Sequence, residues 1–300
     1  ECPWHEHIIN EYVKALKEMG FDGIHMDTYG FPKTAFSKYG GKKTLVKLEE
    51  EIPQLIDDAK IALNEISDSN YLIFNNVGNW PVDAVANSKQ AAIYVEVWDP
   101  YNSYLDLKQI ILNAQKACMG EKQIILAAYL EPFKTDSSER AFNAARLLSA
   151  AVFSNGGINL LLGEKNAVLT GGYYVDHSFL SDGQVEIMRR YYDFAVRYMQ
   201  ILFEPSMKDV SFTHIGWDNM EYKCLNKKWS VNAQSDALWL VIKENENCKC
   251  INIINLCGCD NIWNKGKDVP EKQEEVWFRV QLEVQIEGIY FASPDGDCIS

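Results

Sequence analysis

Two acidic residues of this chain stand at the ends of strand-like segments, where side chains can act on a bound molecule. Asp27 closes the strand in GFDGIHMDTYG, and Glu96 closes the apolar run in AAIYVEVWDP. In barrels of parallel strands, active-site groups lie at such strand ends. Two carboxylates brought together there can split a glycosidic bond, one as the nucleophile and one as the acid.

Three other predicted strands also end in polar residues. Residues 71–76 end in two amides, residues 123–129 end on Tyr129, and residues 157–162 are followed by Glu164. Taken alone, Asp27 could equally be a helix N-cap or a loop carboxylate, and Glu96 a surface salt-bridge residue. Five strands that deliver polar groups to one edge favour a site instead.

Polar and aromatic residues near these strand ends are candidates for holding a sugar. Alternate residues of a strand share a face, so His25 lies on the face of Asp27. Aromatic side chains offer the apolar surface on which sugar rings stack. The predicted substrate-binding residues are His25, Tyr29, Asn76, Trp80, Trp98, Tyr129, Glu164, Tyr173 and Tyr174. Packing is the simpler explanation for a histidine or tryptophan considered singly.

The alternation of predicted strands and helices indicates a parallel sheet with crossover helices. The strands are apolar throughout, as in sheets covered on both faces. We therefore predict an α/β fold over residues 1–204: a (β/α)8 TIM barrel represented by about its last five strands. The predicted strands are residues 21–27, 71–76, 91–96, 123–129 and 157–162. The predicted helices are residues 5–19, 43–67, 82–88, 105–119, 136–153 and 181–203.

Local signals set the expected helix ends. Gly20 is expected to stop the first helix. Pro53 is expected to mark a break or a fresh start in the second. Asp136 and Glu139 are expected to form a capping box at the start of a later one.

Short strand-like runs after Pro205 predict a C-terminal antiparallel β domain over residues 205–300. These runs are residues 237–242, 250–254, 276–280 and 288–291. Four cysteines in this region could hold zinc, although C-x-C pairs are less typical of zinc sites than C-x-x-C pairs. They are Cys248, Cys250, Cys257 and Cys259. Free or buried thiols are the simpler explanation, and we predict no metal and no cofactor.

The composition argues against several classes of partner. With 300 residues and 47% hydrophobic content, the chain can bury a large core. Its net charge of -13 argues against nucleic acid and anionic membranes as partners, because both would repel it. No run is long and apolar enough to span a bilayer. The first residues, ECPWHEHIIN, lack the apolar segment of a signal peptide.

Taken in order, several segments of the chain resemble glycoside hydrolase family 66. That family contains endo-dextranases and cycloisomaltooligosaccharide glucanotransferases. The segments are GFDGIHMDTYG, LIFNNVGNW, YVEVWDP, LAAYLEP, GGINLLLGEKNAVLTGGYYVDH and RRYYDFAVRYMQIL. The resemblance covers roughly residues 1–204, and the β region after it resembles that family's C-terminal domain.

The resemblance implies an activity and two catalytic residues. The family cleaves α-1,6-linked glucan with retention, using an Asp nucleophile on the fourth barrel strand and a Glu acid/base on the sixth. These positions correspond to Asp27 and Glu96. The implied partner is an α-1,6-glucan such as dextran or isomaltooligosaccharides. The five predicted strands would be strands four to eight, so the N-terminal half of the barrel is expected elsewhere in the full-length protein.

One departure from the family pattern favours hydrolysis. The glucanotransferases carry a carbohydrate-binding insertion between strands seven and eight, and the interval from Tyr129 to Gly157 leaves no room for it. We therefore predict retaining endo-hydrolysis of dextran. The alternatives are a glucanotransferase of the same family, a barrel glycosidase acting on another α-glucoside, and a non-catalytic glucan-binding fragment. A polymeric substrate favours an extracellular location, whereas the cysteine content leans toward a reducing compartment.

Overall fold

The chain has an α/β fold with a parallel sheet of five strands and smaller sheets in which most strand pairs are antiparallel. A computed structural model describes residues 2–28, 30–67, 69–173, 175, 177–216, 219–283 and 285–296. The chain divides into two compact units. The first unit consists of residues 1–100 and 112–127, and the second consists of residues 101–111 and 128–300. The predicted domain boundary after residue 204 lies inside the second unit. Closure into an eight-stranded barrel remains a prediction, because the described sheet has five parallel strands.

Parallel strands and their connecting helices form the first unit. Its strands are β1 (Gly23–Met26), β2 (Thr34–Ser37), β3 (Thr44–Lys47), β4 (Tyr71–Val77), β5 (Ala92–Glu96) and β6 (Gln123–Ala127). Its helices are α1 (Pro3–Met19), α2 (Leu48–Asn64) and α3 (Val82–Val85); a fourth, α4 (Tyr104–Ala117), spans the division between the units. Strands β1, β4, β5 and β6 pair in parallel in that order, so their carboxyl ends lie at one edge.

Apolar residues at helical and strand spacing bury one face of this sheet. Ile56 and Leu63 of α2 are buried in one cluster with Leu72 and Phe74 of β4. Because strand side chains alternate between faces, Leu72 and Phe74 point toward the helices while Asn75 points to the opposite face. The hydrophobic pattern of β4 therefore determines which of its polar residues can reach the edge where the strands end.

The predicted end of α1 is confirmed. Gly20 adopts the left-handed conformation, with φ 70°, and its N–H donates to the carbonyl of Leu16. A residue without a Cβ takes this conformation at little cost, which is why glycine so often ends helices.

The predicted helix over residues 43–67 is wrong at its start. That stretch begins with β3, which pairs with β2 in an antiparallel hairpin, and α2 begins only at Leu48. The β-branched residues Thr44 and Val46 favour a strand here. Pro53 lies inside α2 and does not mark a break.

The second unit contains the remaining elements. Its helices are α5 (Pro132–Thr135), α6 (Ser138–Ser154), α7 (Asp182–Arg197) and α8 (Met199–Leu202). Its strands are β7 (Gly157–Asn159), β8 (Ala167–Leu169), β9 (His177–Phe179), β10 (Lys208–Asp209), β11 (Ile215–Gly216), β12 (Asn219–Met220), β13 (Tyr222–Cys224), β14 (Trp229–Ser230), β15 (Leu238–Glu244), β16 (Lys249–Asn255) and β17 (Phe278–Val280). Strands β15 and β16 form an antiparallel hairpin, and β10 and β14 pair with opposite ends of β15.

Three of the predicted C-terminal runs correspond to β15, β16 and β17, whereas residues 288–291 are described and form no strand.

The predicted capping box before α6 is also wrong. Ser137 is the N-cap, and its Oγ accepts the N–H of Arg140 at 3.3 Å. Asp136 instead accepts from the Arg140 side chain at 3.1 Å.

Across the described part of the chain, every helix falls short of the length and apolarity needed to cross a membrane.

The four cysteines of the C-terminal region do not converge on a metal-binding point among the described residues. Burial raises the pKa of Cys250 to about 11, so its thiol stays protonated at neutral pH. The described group whose geometry could hold a metal is His214, Glu221 and Glu244. However, the Lys249 ammonium already donates to both glutamates, at 3.1 Å and 2.6 Å. The Lys249 ammonium therefore already offsets negative charge of the two glutamates.

Candidate active site

The carboxyl edge of the first unit's sheet brings the two predicted catalytic acids to one place. Asp27 directly follows β1, and Glu96 is the last residue of β5; β4 lies between these strands. Glu96 pairs in register with Val77, the last residue of β4. Hydrogen bonding of parallel backbones, rather than proximity in the sequence, therefore places the acids together.

A single amide nitrogen joins the two carboxylates. Nδ2 of Asn75 donates to Oδ1 of Asp27 at 2.8 Å and to Oε2 of Glu96 at 3.1 Å. Since both oxygens contact the same atom, they lie no more than about 6 Å apart. Retaining glycosidases hold their two carboxyl groups about 5–5.5 Å apart, and inverting ones about 6.5–9.5 Å apart. The geometry is therefore compatible with a retaining pair.

The two acids differ in their access to water. Asp27 is exposed, whereas Glu96 is only 9% exposed and the bridging Asn75 only 3%. Paired carboxyl groups in unlike surroundings are a common arrangement in sites that need one acid and one base. The more open acid can meet a ligand from solvent, while the enclosed one is held against the sheet.

His25 lies beside this pair, as the strand alternation predicts. Its ring contacts the ring of Tyr94 edge-on, with centroids 4.8 Å apart. Although the residue is exposed overall, partial desolvation of the ring lowers the pKa of His25 from the ordinary 6.5; the negative charges of Asp27 and Glu96 oppose this shift without reversing it. The imidazole is therefore mostly uncharged at neutral pH.

The predicted substrate contact of Asn76 is not supported by its placement. Asn76 is fully buried, and its Nδ2 donates to the backbone carbonyls of Tyr94 at 2.8 Å and Phe74 at 3.2 Å. Its neighbour Asn75 takes the position at the site instead. The reason is the alternation of β4, which puts Asn76 on the face of Phe74.

Trp80 lies just beyond the end of β4 and is partly exposed. Its indole N–H donates to Glu49 at 3.3 Å, and the Lys33 ammonium lies 5.3 Å from its ring centre. A cavity of about 790 Å³ beside it is lined by α3 and by residues of α4, and neither Asp27 nor Glu96 belongs to its lining. Trp98, two residues after Glu96, is 43% exposed.

The other predicted substrate contacts lie elsewhere in the chain. Tyr129 is half-buried, Glu164 is exposed in a short 3₁₀ turn, and Tyr173 is 75% exposed between β8 and β9. All three belong to the second unit. Tyr29 and Tyr174 fall outside the residues that the structure describes.

Asn75 lies between the two acids but is not among the predicted site residues, although the sequence carries a signal for it. The large apolar residues Leu72 and Phe74 mark the helix-covered face of β4, which assigns Asn76 to that face and Asn75 to the other. Treating the two amides only as the end of a strand leaves each of them without an assigned face.

Comparison with known proteins identifies the family. The sequence model that describes glycosyl hydrolase family 66 matches residues 1–299 of this chain. The chain belongs to this family. The resemblance seen in the ordered sequence segments is thereby confirmed.

Curated relatives of this family 66 chain include two kinds of enzyme. A cycloisomaltooligosaccharide glucanotransferase of Niallia circulans is 31% identical over 42% of the chain and 13% of its own length. A dextranase of Streptococcus salivarius is 22% identical over 97% of the chain and 41% of its own length. The chain thus spans less than half the length of these relatives.

A solved structure shares the fold of the family 66 chain. It is a cycloisomaltooligosaccharide glucanotransferase of Paenibacillus sp. complexed with cycloisomaltoheptaose. The TM-score is 0.88 at 18% identity, over 98% of this chain and 60% of that one. At this identity, the likeness supports the fold only.

Proposed function

We propose that this family 66 chain carries the catalytic pair of an enzyme that hydrolyses internal α-1,6 linkages of dextran with retention. The observation that carries the proposal is the Asn75 amide, which bonds Asp27 and Glu96 at once and so limits their separation to about 6 Å, short enough for a retaining pair. The names of the relatives support the substrate, since they include a dextranase and glucanotransferases that form cyclic isomaltooligosaccharides.

In the first step, the ionised carboxylate of Asp27 attacks the anomeric carbon of the glucose on the non-reducing side of the linkage. A bond forms from the Asp27 oxygen to that carbon as the glycosidic C–O bond breaks. Glu96 enters the step protonated and gives its proton to the departing oxygen. The products are a glucosyl ester on Asp27 and a shortened glucan with a free hydroxyl group.

In the second step, the Glu96 carboxylate takes a proton from a water molecule. The water oxygen attacks the anomeric carbon, and the ester bond to Asp27 breaks. This returns Asp27 to its carboxylate form and Glu96 to its acid form. Two inversions at one carbon restore the α configuration. Asp27 is exposed and Glu96 is enclosed, which supports this division of roles.

The substrate-binding roles of the aromatic residues are also part of the proposal. Trp80 and Trp98 follow the strands β4 and β5 and keep part of their rings open to solvent. Open indole rings can stack on the apolar faces of glucose units. His25, uncharged beside the acids, can exchange a hydrogen bond with a sugar hydroxyl without adding charge.

Product analysis and two variants test the function. We expect linear isomaltooligosaccharides from dextran and no products from starch, and proton NMR should show the α anomer first. Asp27→Asn should lower kcat by at least about 1,000-fold while leaving the fold intact. Glu96→Gln should lower kcat on dextran by about 100- to 10,000-fold. On a 4-nitrophenyl isomaltooligoside, kcat/KM, which reports the first step, should fall much less, because that leaving group needs no proton. Full dextran hydrolysis by Asp27→Asn would overturn the assignment.

A second candidate is the cyclising glucanotransferase, because the names of two curated relatives and of the solved structure are of that type. Its first step is the same. In its second step, the 6-hydroxyl at the non-reducing end of the bound glucan, rather than water, would attack the anomeric carbon; this hydroxyl would give its proton to Glu96 as the ester bond to Asp27 breaks. Mass spectrometry separates the candidates, because a cyclic product is lighter by one water than the linear product of equal length.

A further inference from the structure

We propose that Asn75 is the positioning residue of the catalytic pair, holding both carboxylates through one neutral amide group. The inference rests on the proposed function and goes beyond it, since it assigns a residue and a role that the family comparison does not. Its basis is the shared nitrogen: Nδ2 lies 2.8 Å from Asp27 and 3.1 Å from Glu96. An NH2 group has two hydrogens, one for each of these contacts.

The orientation of the amide follows from its partners. If it were turned over, its oxygen would face two carboxyl groups, which in their ionised form only accept hydrogen bonds. Nδ2 is therefore the atom that faces the pair. Asn75 is 97% covered by its surroundings, being only 3% exposed. A side chain so enclosed on a central strand can hold its partners in a fixed geometry.

The neutrality of the amide matters for the chemistry. A lysine or arginine between two carboxylates would favour the ionised form of both. The double displacement requires one of them to carry a proton at the start of each cycle. An amide donates to both groups without adding a positive charge, so it can set their separation while leaving one free to be protonated.

The test compares Asn75→Ala with Asn76→Ala in the full chain. Both substitutions remove an adjacent buried amide of β4, but among the residues that the structure describes Asn76 donates to backbone carbonyls alone. The first readout is the pH titration of the Asp27 and Glu96 carboxyl carbons by NMR, with signals assigned through Asp27→Asn and Glu96→Gln. The second is the pH profile of kcat/KM on dextran. Donors favour the ionised form of a carboxyl group, so losing one shifts its titration to higher pH.

We expect both carboxyl titrations, and both limbs of the activity profile, to move to higher pH in Asn75→Ala. We expect kcat/KM to fall by about 100-fold, the effect of a displacement of about 1 Å in a catalytic group. Asn75→Asp should shift the titrations further, because it replaces the donor by a third acid. Asn76→Ala should lower the thermal midpoint and leave the titrations in place.

Equal titrations in wild type and Asn75→Ala would overturn this inference, as would equal shifts in Asn75→Ala and Asn76→Ala. The proposed function fails separately, if the wild-type protein leaves dextran intact. The NMR titration gives its result in either case, because it does not depend on turnover.

Discussion

At the scale of single residues, the charge of His25 is set by opposing influences. Partial desolvation of the ring lowers its pKa below 6.5, and the nearby acids Asp27 and Glu96 only weaken this effect. A folded protein that resists protonating a histidine loses stability in acid, since the unfolded chain binds the proton first. The lowered pKa of His25 therefore makes the folded protein less stable as the pH falls below 6.5.

The His25→Gln variant tests this preference through the pH dependence of unfolding. As the pH falls through 6.5, wild type should lose free energy of unfolding relative to His25→Gln. The difference should level off below the folded-state pKa, where both states are protonated. Urea unfolding between about pH 5 and 7.5 measures it. His177→Gln, at an exposed position of β9, is the control, and equal slopes for wild type and His25→Gln would contradict the account.

How far the site could be predicted is also a matter of single residues. Asp27 and Glu96 were predictable because each ends an apolar run, and the sheet brings them together. Asn75 becomes predictable only when each residue of β4 is assigned to a face, because the choice between it and Asn76 depends on which face of β4 the helices cover. That choice follows from the positions of Leu72 and Phe74, which the strand assignment alone did not use.

At the scale of elements, the close pairing of β1 with β4 holds Asp27 in place. Gly23 of β1 pairs in register with Tyr71 of β4. A Cβ at Gly23 would lie 2.8 Å from the carbonyl carbon of Tyr71, a backbone atom that cannot turn aside as a side chain can. The two strands approach so closely that this position requires glycine.

Gly23→Ala should therefore move β1 away from β4 and carry Asp27 off its contact with Asn75. We expect kcat to fall by about 100-fold or more, since a shift of about 1 Å suffices for that. Gly183→Ala in the first turn of α7 is the matched control, because a Cβ there meets no atom within 4 Å. Kinetics on dextran and thermal unfolding of both variants measure the effects; full activity of Gly23→Ala would refute this role.

The elements themselves were predicted unevenly. Long apolar runs identified β4 and β5 because parallel strands covered on both faces are apolar throughout. The β2–β3 hairpin is harder to predict because its strands are short and β3 runs directly into α2; the β-branched Thr44 and Val46 are the strand signal within that helical pattern. Capping was also misassigned, since Asp136 and Ser137 are adjacent and either side chain could cap α6.

At the scale of the whole molecule, stability depends on charges buried in the second unit. Lys243 of β15 is 4% exposed, and its Nζ donates to the carbonyl of Leu202 at 2.8 Å. Burial lowers the pKa of Lys243 to about 8; Asp209 opposes this shift and Lys108 adds to it. Lys108 itself pairs with Asp209 at 2.8 Å. The Asp209 carboxylate, whose side chain is 11% exposed, thus interacts with two ammonium groups.

Alkaline pH should therefore stabilise the protein through Lys243. Between pH 8 and 10.5, the folded state releases this proton while the unfolded chain keeps it, so the free energy of unfolding rises with pH. The Lys243→Met variant lacks this contribution. Its free energy of unfolding, relative to that of wild type, should therefore fall as the pH rises over that range. Urea unfolding at several pH values measures the slopes. Lys223→Met, exposed on β13, should keep the wild-type slope; a wild-type slope in Lys243→Met would contradict the account.

The most direct test of the central claim is to trap the covalent intermediate. A 5-fluoro glucosyl fluoride slows the second displacement and leaves the sugar attached to its nucleophile. Peptide mass spectrometry then identifies the labelled residue. We predict the label on Asp27, absent from Asp27→Asn and retained in Asn76→Ala. A label on Glu96 or another carboxylate would contradict the assignment of the catalytic pair.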